Sequence, residues 1–206
     1  MNKIKVISFD VEGTLATPAF SHALWHETIP ALYASKKEID IAQAEAAIFA
    51  EYGRIGKQQM AWYDIEHWFG FLQLGDPQPA IQSCLHKIKY YPEVEEVLAS
   101  LSTQYKLCAA SGMPLELLRL VLQDIKHYFT YIFSAPTHYK QLKSPAFYQG
   151  ICAEMGVHPA QVAHTGDSWQ FDFLNPGQAG IHAFYLDRQG KNQESLSDLR
   201  QLQQQL

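Results

Sequence analysis

Apolar residues recur along this chain with two periods, and the switch between them divides it. Residues 4–9, Ile-Lys-Val-Ile-Ser-Phe, form a short run rich in β-branched side chains, which predicts a buried strand. The run stops at Asp10-Val11-Glu12-Gly13-Thr14, where Gly13 marks a turn. From about Thr17 to about His86 the pattern is helical throughout. Ile41, Ala44, Ile48, Phe49 and Tyr52 share one face, as do Ile65, Trp68, Phe69 and Leu72, and then Ile81, Cys84, Leu85 and Ile88. Pro18, Pro30, Gly53, Gly56, Gly70, Gly75 and Pro77 cut this region into short helices.

After Pro92 helices and strands alternate. Val94, Val97, Leu98 and Leu101 make a helical stripe, and Tyr105 to Ala110 reads as a strand ending at Ser111-Gly112. A helix opened by Pro114 follows, then a strand from Phe129 to Phe133 and a helix from Pro145 to Met155 closed by Gly156. Val162 to Thr165 predicts a strand ending at Gly166-Asp167, His182 to Leu186 another, and Ser195 to Leu206 a terminal helix. Such alternation implies βαβ units and a parallel sheet covered on both faces. The predicted fold is α/β, a three-layer Rossmann-like parallel sheet core with an inserted all-helical domain. The core takes residues 1–16 and 87–206, and the insert takes residues 17–86.

Composition narrows the role. Charged residues are 18% of the 206 and aromatics 13%, the reverse of a disordered chain. The net charge of −5 and the lack of a basic patch remove the electrostatic basis for binding nucleic acid or an anionic membrane. Cys84, Cys108 and Cys152 are odd in number and lie in apolar surroundings, with no CxxC. They read as reduced, buried thiols rather than a disulfide scaffold or zinc site. No stretch approaches the length of a transmembrane helix. The expectation is a soluble, cytoplasmic protein.

In open parallel sheets, ligands sit at the carboxyl ends of the strands. Asp10 and Glu12 follow the first predicted strand, and Ser111 with Gly112 the second. Lys143 lies in the loop after the third, and Asp167 follows the fourth with Asp172 five residues on. Together they offer carboxylates for a hard cation such as Mg²⁺, a hydroxyl with a glycine amide, and an ammonium for an anion.

These segments resemble a known family. Asp10-Val11-Glu12-Gly13-Thr14-Leu15 is similar to the first motif, DxDGT(L/V), of the haloacid dehalogenase superfamily. Ala110-Ser111-Gly112 resembles the second motif, Lys143-Ser144-Pro145 the third, and His164-Thr165-Gly166-Asp167-Ser168 with Asp172 the fourth, GDxxxxD. Tyr91-Pro92-Glu93-Val94 resembles the re-entry segment of the C1-capped subgroup, which makes residues 17–86 a helical cap. The resemblance covers essentially the whole chain.

It implies a Mg²⁺-dependent phosphatase acting on a small phosphorylated metabolite through an aspartyl-phosphate. Asp10 would be nucleophile and metal ligand. Glu12 would be general acid/base, with its backbone carbonyl on the metal. Ser111 and the Gly112 amide would hold phosphoryl oxygens, and Lys143 would balance charge. Asp167 would bind Mg²⁺, and Asp172 would bind it or orient its waters. Glu12 departs from the usual Asp by one methylene, a variant that resembles the enolase-phosphatases, whereas haloacid dehalogenases carry Tyr there. The usual Lys-Pro-x-Pro is absent, so Lys140 stays an alternative to Lys143.

Plainer readings stand beside these. Ser111 could cap the helix at Pro114, and Asp172 could be an ordinary helix residue. His22 and His26, four apart, lack a third metal ligand, and the aromatic cluster from Trp62 to Phe71 reads as helix packing. Two other classes also remain: a phosphoryl-accepting, receiver-like protein, and a catalytically silent binding protein of the same fold.

Overall fold

The computed structural model describes residues 3–191 and 195–206. Five strands form one parallel sheet: β1 (Val6–Phe9), β2 (Lys106–Ser111), β3 (Tyr131–Ser134), β4 (Val162–Gly166) and β5 (His182–Tyr185). Their order is β3-β2-β1-β4-β5. The chain steps outward from β1 to β2 and β3, then returns to the other side of β1 for β4 and β5. Right-handed crossovers therefore place Val94–Ser102 and Leu115–Val121 on one face of the sheet and Pro145–Glu154 on the other. With both faces covered, every residue of β1 and β4 is buried.

β1 lies between β2 and β4, with Phe9 in register with Ala109 on one side and Thr165 on the other. The backbone N–H of Asp10 continues this pairing, donating to Thr165 O at 2.9 Å. The strand order reverses at β1, which is where a crevice opens beyond the carboxyl ends of a doubly wound sheet. Beneath the crevice, Phe147, Tyr148, Ile151 and Cys152 from one helix face pack with Val6, Cys108, Phe133 and Val162 of the sheet.

The chain divides into two compact units, Met1–Ala16 with Tyr90–Leu206, and Thr17–Lys89. The second unit contains only helices among its described residues, including Ile29–Lys37, Ile41–Ile55, Ile65–Leu72 and Gln78–Cys84. Asp40 and Asp64 start two of them by accepting the backbone N–H of Gln43 and His67, at 2.9 and 3.1 Å. Trp68 is fully buried, with its ring centroid 4.5 Å from that of Tyr52 in an edge-to-face contact. The aromatic cluster around Trp68 is thus helix packing within this unit.

One local expectation needs correction. The predicted helix from Ser195 does not begin there: Leu196 bridges in parallel to Leu186, extending the sheet edge, and helix resumes only at Leu199 and Leu202–Gln205. The leucine spacing suits a helix, but pairing with Leu186 and capping by Asp198, whose side chain accepts from Arg200 N, prevail locally. A short helix, Ala135–Tyr139, also follows β3 directly. Ser134 caps it by accepting Thr137 N at 3.2 Å, with Pro136 in its first turn.

Phe147 is fully buried between the sheet and its helix. Phe147→Ala is expected to destabilise the protein by about 3–5 kcal/mol, read as a lower urea midpoint at unchanged slope.

Candidate active site

The site is assembled at the carboxyl ends of β1, β2 and β4. Asp10 extends β1, Ser111 ends β2, and Asp167 follows the last residue of β4. Two glycines allow the carboxylates to crowd. A Cβ on Gly166 would lie 2.4 Å from Asp172 Cγ and 2.8 Å from Asp10 Cβ. Gly13 has φ of 82°, and a Cβ there would lie 2.1 Å from Asp167 Oδ2. Side chains at either position would occupy the space of the carboxylates themselves.

Asp10, Asp167 and Asp172 each offer an oxygen, all within 4.8 Å of one another; Asp10 and Asp172 are buried and Asp167 is exposed. The Glu12 carboxylate is not a member of this group. Lys143, from the loop before Pro145–Glu154, is buried with its Nζ 2.5 Å from both Asp10 Oδ1 and Asp172 Oδ1. Lys140 is exposed and caps the preceding helix in a left-handed conformation. Of the two candidate lysines, Lys143 is the one the fold carries to the carboxylates. Asn175 Nδ2 anchors it, donating to Lys143 O at 2.6 Å.

Ser111 is buried, and its Oγ accepts Met113 N at 3.1 Å. It therefore shapes the turn after β2 rather than capping the next helix, whose flanking residue is Pro114. Accepting that bond leaves the hydroxyl hydrogen for an incoming oxygen. Gly112 follows it in the same turn.

Asp172 sits not in an ordinary helix but in the π-helical turn Trp169–Leu174. It is fully buried, and its Oδ2 accepts Ser168 N at 3.0 Å. Its Oδ1 faces Lys143 Nζ and His164 Nε2, the latter at 3.2 Å. A carboxylate only accepts, so the His164 hydrogen is on Nε2, and Nδ1 accepts from Ser8 Oγ at 2.9 Å. Tyr148 OH lies 3.1 Å from the same Nε2 and donates to Phe171 O at 2.8 Å.

The charges follow from this packing. Burial above all, then the neighbouring carboxylates, holds Asp10 well above the usual carboxylate range despite Lys143. Asp167 is exposed as a residue, but crowding of its carboxyl among these neighbours, desolvation first and Asp172 next, pushes it up to about 6. Burial would raise Asp172 too, but Lys143 and His164 outweigh it and bring it down to about 2. Burial pushes Lys143 down, and Asp10 with Asp172 more than reverses this, so it stays protonated. Burial lowers His164 and keeps it neutral. Three carboxyl groups thus share one ammonium, and two of them resist ionisation without further positive charge. A hard oxygen donor set whose ionisation calls for further positive charge fits a divalent cation.

The sequence assigns no role to Ser8, Tyr148, His164 or Asn175, although His164 opens the segment that resembles the fourth motif. The signal was a polar residue inside each of two buried strands: Ser8 and His164 are register partners. Buried polar groups need partners, so facing serine and histidine imply a network.

Lys143→Met leaves two buried carboxylates without their shared cation. In EDTA it is expected to cost about 3–5 kcal/mol, measured as a fall in unfolding free energy by denaturant titration.

The sequence was compared with known proteins. The family model for haloacid dehalogenase-like hydrolases matches residues 4–174. A search of the curated proteins found no significant match. Among solved structures, a HAD phosphatase from Thermococcus onnurineus superposes with a TM-score of 0.85 at 22% identity, covering 98% of this chain and 97% of its own. A 2-haloacid dehalogenase from Pseudomonas syringae gives 0.68 at 19% identity, covering 98% and 97%. The magnesium-bound YfnB of Bacillus subtilis gives 0.68 at 14% identity, covering 100% and 99%. At these identities the structures speak to the fold, and the family model speaks to descent. With five parallel strands in this order and a helical insert after the first, the chain belongs to the haloacid dehalogenase-like hydrolases.

Proposed function

We propose that this hydrolase is a Mg²⁺-dependent phosphatase that cleaves small phosphomonoesters through an aspartyl-phosphate on Asp10. The observation that carries this reading is the buried Lys143 bridging Asp10 and Asp172, with Asp167 beside them. A nucleophile, a fixed cation and an oxygen donor set suited to a divalent cation then share one site. The magnesium in YfnB and the phosphatase from Thermococcus onnurineus support the same assignment.

The chemistry divides between residues already placed. An Asp10 oxygen attacks phosphorus, and the ester oxygen leaves with a proton from Glu12. Glu12, now a carboxylate, takes a proton from water as that water attacks the aspartyl-phosphate, releasing phosphate and restoring Asp10. The Ser111 hydroxyl and the Gly112 N–H donate to the phosphoryl oxygens, and Lys143 balances charge on Asp10 and phosphate. Asp10, Asp167, the Glu12 carbonyl and Asp172 would hold the metal or its waters. When bound, Mg²⁺ supplies the positive charge that keeps Asp10 ionised and draws negative charge from the phosphoryl group.

A carboxyl at position 12 favours cleavage of a phosphoester over a carbon–halogen bond, because the departing alkoxide needs a proton and a departing halide does not. The inserted helical unit is proposed as the cap that selects among small substrates, and the negative overall charge argues against nucleic acid as a substrate.

A panel of phosphomonoesters assayed with Mg²⁺ tests the assignment. The wild type is expected to release phosphate from at least one, with turnover abolished by EDTA and restored by Mg²⁺. Asp10→Asn is expected to lose at least about 10³-fold in kcat. No EDTA-sensitive turnover on any ester defeats the phosphatase reading; an active Asp10→Asn defeats the nucleophile. A stable phosphorylated protein without turnover supports a receiver-like role instead.

A further inference from the structure

The loop that carries Glu12 is gripped from outside by a residue with no part in the chemistry above. Arg188 follows β5, in a turn where Asp187 N donates to Leu196 O and Gly190 N to Asp187 O, at 2.7 and 2.9 Å. Its guanidinium reaches back across the sheet ends to the first motif. Nε donates to Gly13 O at 3.3 Å and Nη2 to Thr14 O at 2.6 Å. The guanidinium carbon sits 3.5 Å from the centroid of the Tyr91 ring. Nη2 is also 2.8 Å from Glu93 Oε1, whose side chain is 3% exposed.

The directions of these contacts matter. Glu93 Oε1 has no aligned hydrogen-bond donor, although Arg188 is within ion-pair distance. Glu93 therefore acts as a counter-charge, while the directed N–H bonds go to the two turn carbonyls. A planar fork with fixed donors can hold two successive carbonyls in one orientation, which a lysine cannot do. Burying this pair is costly and weak evidence for stability, so a positional role is the better physical account.

The carbonyls so held belong to the two residues after Glu12. On the other side, Asp10 N is tied to Thr165 O, and the turn closes through Gly13 N to Ala16 O at 2.7 Å. The Gly13 backbone is pressed against Asp167, where no Cβ would fit. Tyr91, which lies under the guanidinium, donates its own N–H to Leu15 O at 3.0 Å. Glu12 is one methylene longer than the usual Asp, so its carboxyl depends more on where its backbone is held. An error of about 1 Å at a reacting group can cost about 100-fold.

We propose that Arg188 is a positioning residue for Glu12, holding the Gly13–Thr14 carbonyls so that the Glu12 carboxyl meets the leaving oxygen. The proposal rests on the phosphatase reading but concerns a residue outside its chemistry. Glu93 and Tyr91 complete the clamp, one by charge and one by stacking.

The test uses leaving-group dependence. Nitrophenolate departs without a proton, whereas an alkoxide needs one from Glu12. The measured quantity is kcat/KM, which covers steps up to transfer onto Asp10. For Arg188→Met we expect a fall of about 100-fold on an alkyl phosphate that the wild type hydrolyses, and less than about threefold on p-nitrophenyl phosphate. Arg188→Lys, which keeps a charge opposite Glu93, should show the same selective loss to a smaller degree. In a Glu12→Gln background, Arg188→Met should add little further loss on the alkyl ester. Circular dichroism and melting temperature check folding, and Arg188→Met/Glu93→Gln removes the orphaned charge should the single variant unfold. Equal losses on both esters, no loss on either, or full additivity with Glu12→Gln would overturn the proposal while wild-type turnover leaves the phosphatase reading standing. Absence of wild-type turnover on every ester overturns both.

Discussion

The buried ammonium of Lys143 between Asp10 and Asp172 is the interaction on which the site depends. Two carboxylates this close, both removed from water, repel each other and lose hydration. One cation 2.5 Å from each makes the arrangement tenable and fixes its geometry. The rest of the core serves that contact. Asn175 holds the lysine backbone, His164 and Ser168 hold Asp172, and Gly166 leaves room for the Asp10 and Asp172 side chains. Charge remains unbalanced once Asp167 is counted. This is the physical reason the site suits a further cation.

The sheet brings these groups together because its order reverses at β1. Asp10 and Lys143 are 133 residues apart in sequence, and Ser8 and His164 are 156 apart. Parallel pairing puts the carboxyl ends of β1, β2 and β4 at one edge, so a residue just past each strand faces the same crevice. The polar chain from Ser8 through His164 to Asp172 runs along one face of the sheet, and it links the β1–β4 pair to the turn that carries Asp172. The Arg188 clamp works from the opposite direction, reaching from the end of β5 to the first motif. Both devices fix loops by hydrogen bonds to backbone or buried polar atoms, where packing of apolar side chains alone would leave them free to shift.

Much of this was legible beforehand, and the failures are instructive. The run from Ile4 to Phe9 and the alternation after Pro92 suffice for an α/β fold, since periodicity reports which faces are buried. The polar residues at the strand ends were legible because glycine and charge rarely follow buried strands without reason. The stretch from Ser195 was misjudged: leucines at helical spacing also suit an extended bridge followed by a short helix, and the partner strand at Leu186 decided it. Asp172 as a plain helix residue and Ser111 as a helix cap were open from pattern alone. A π-helical turn and a bond to Met113 N are contacts that no local pattern encodes.

By itself, then, the sequence determined the kinds of elements, their order, and the chemical groups available at their ends. These depend on local hydrophobic period, turn-forming residues and side-chain chemistry, all of which are written along the chain. Only the tertiary structure decided which lysine meets Asp10, how His164 is protonated, and that Arg188 holds the Glu12 loop. Those outcomes depend on burial and on distances between residues far apart in sequence. Dielectric environment, charge pairing and hydrogen-bond direction exist only once the strands have found their order.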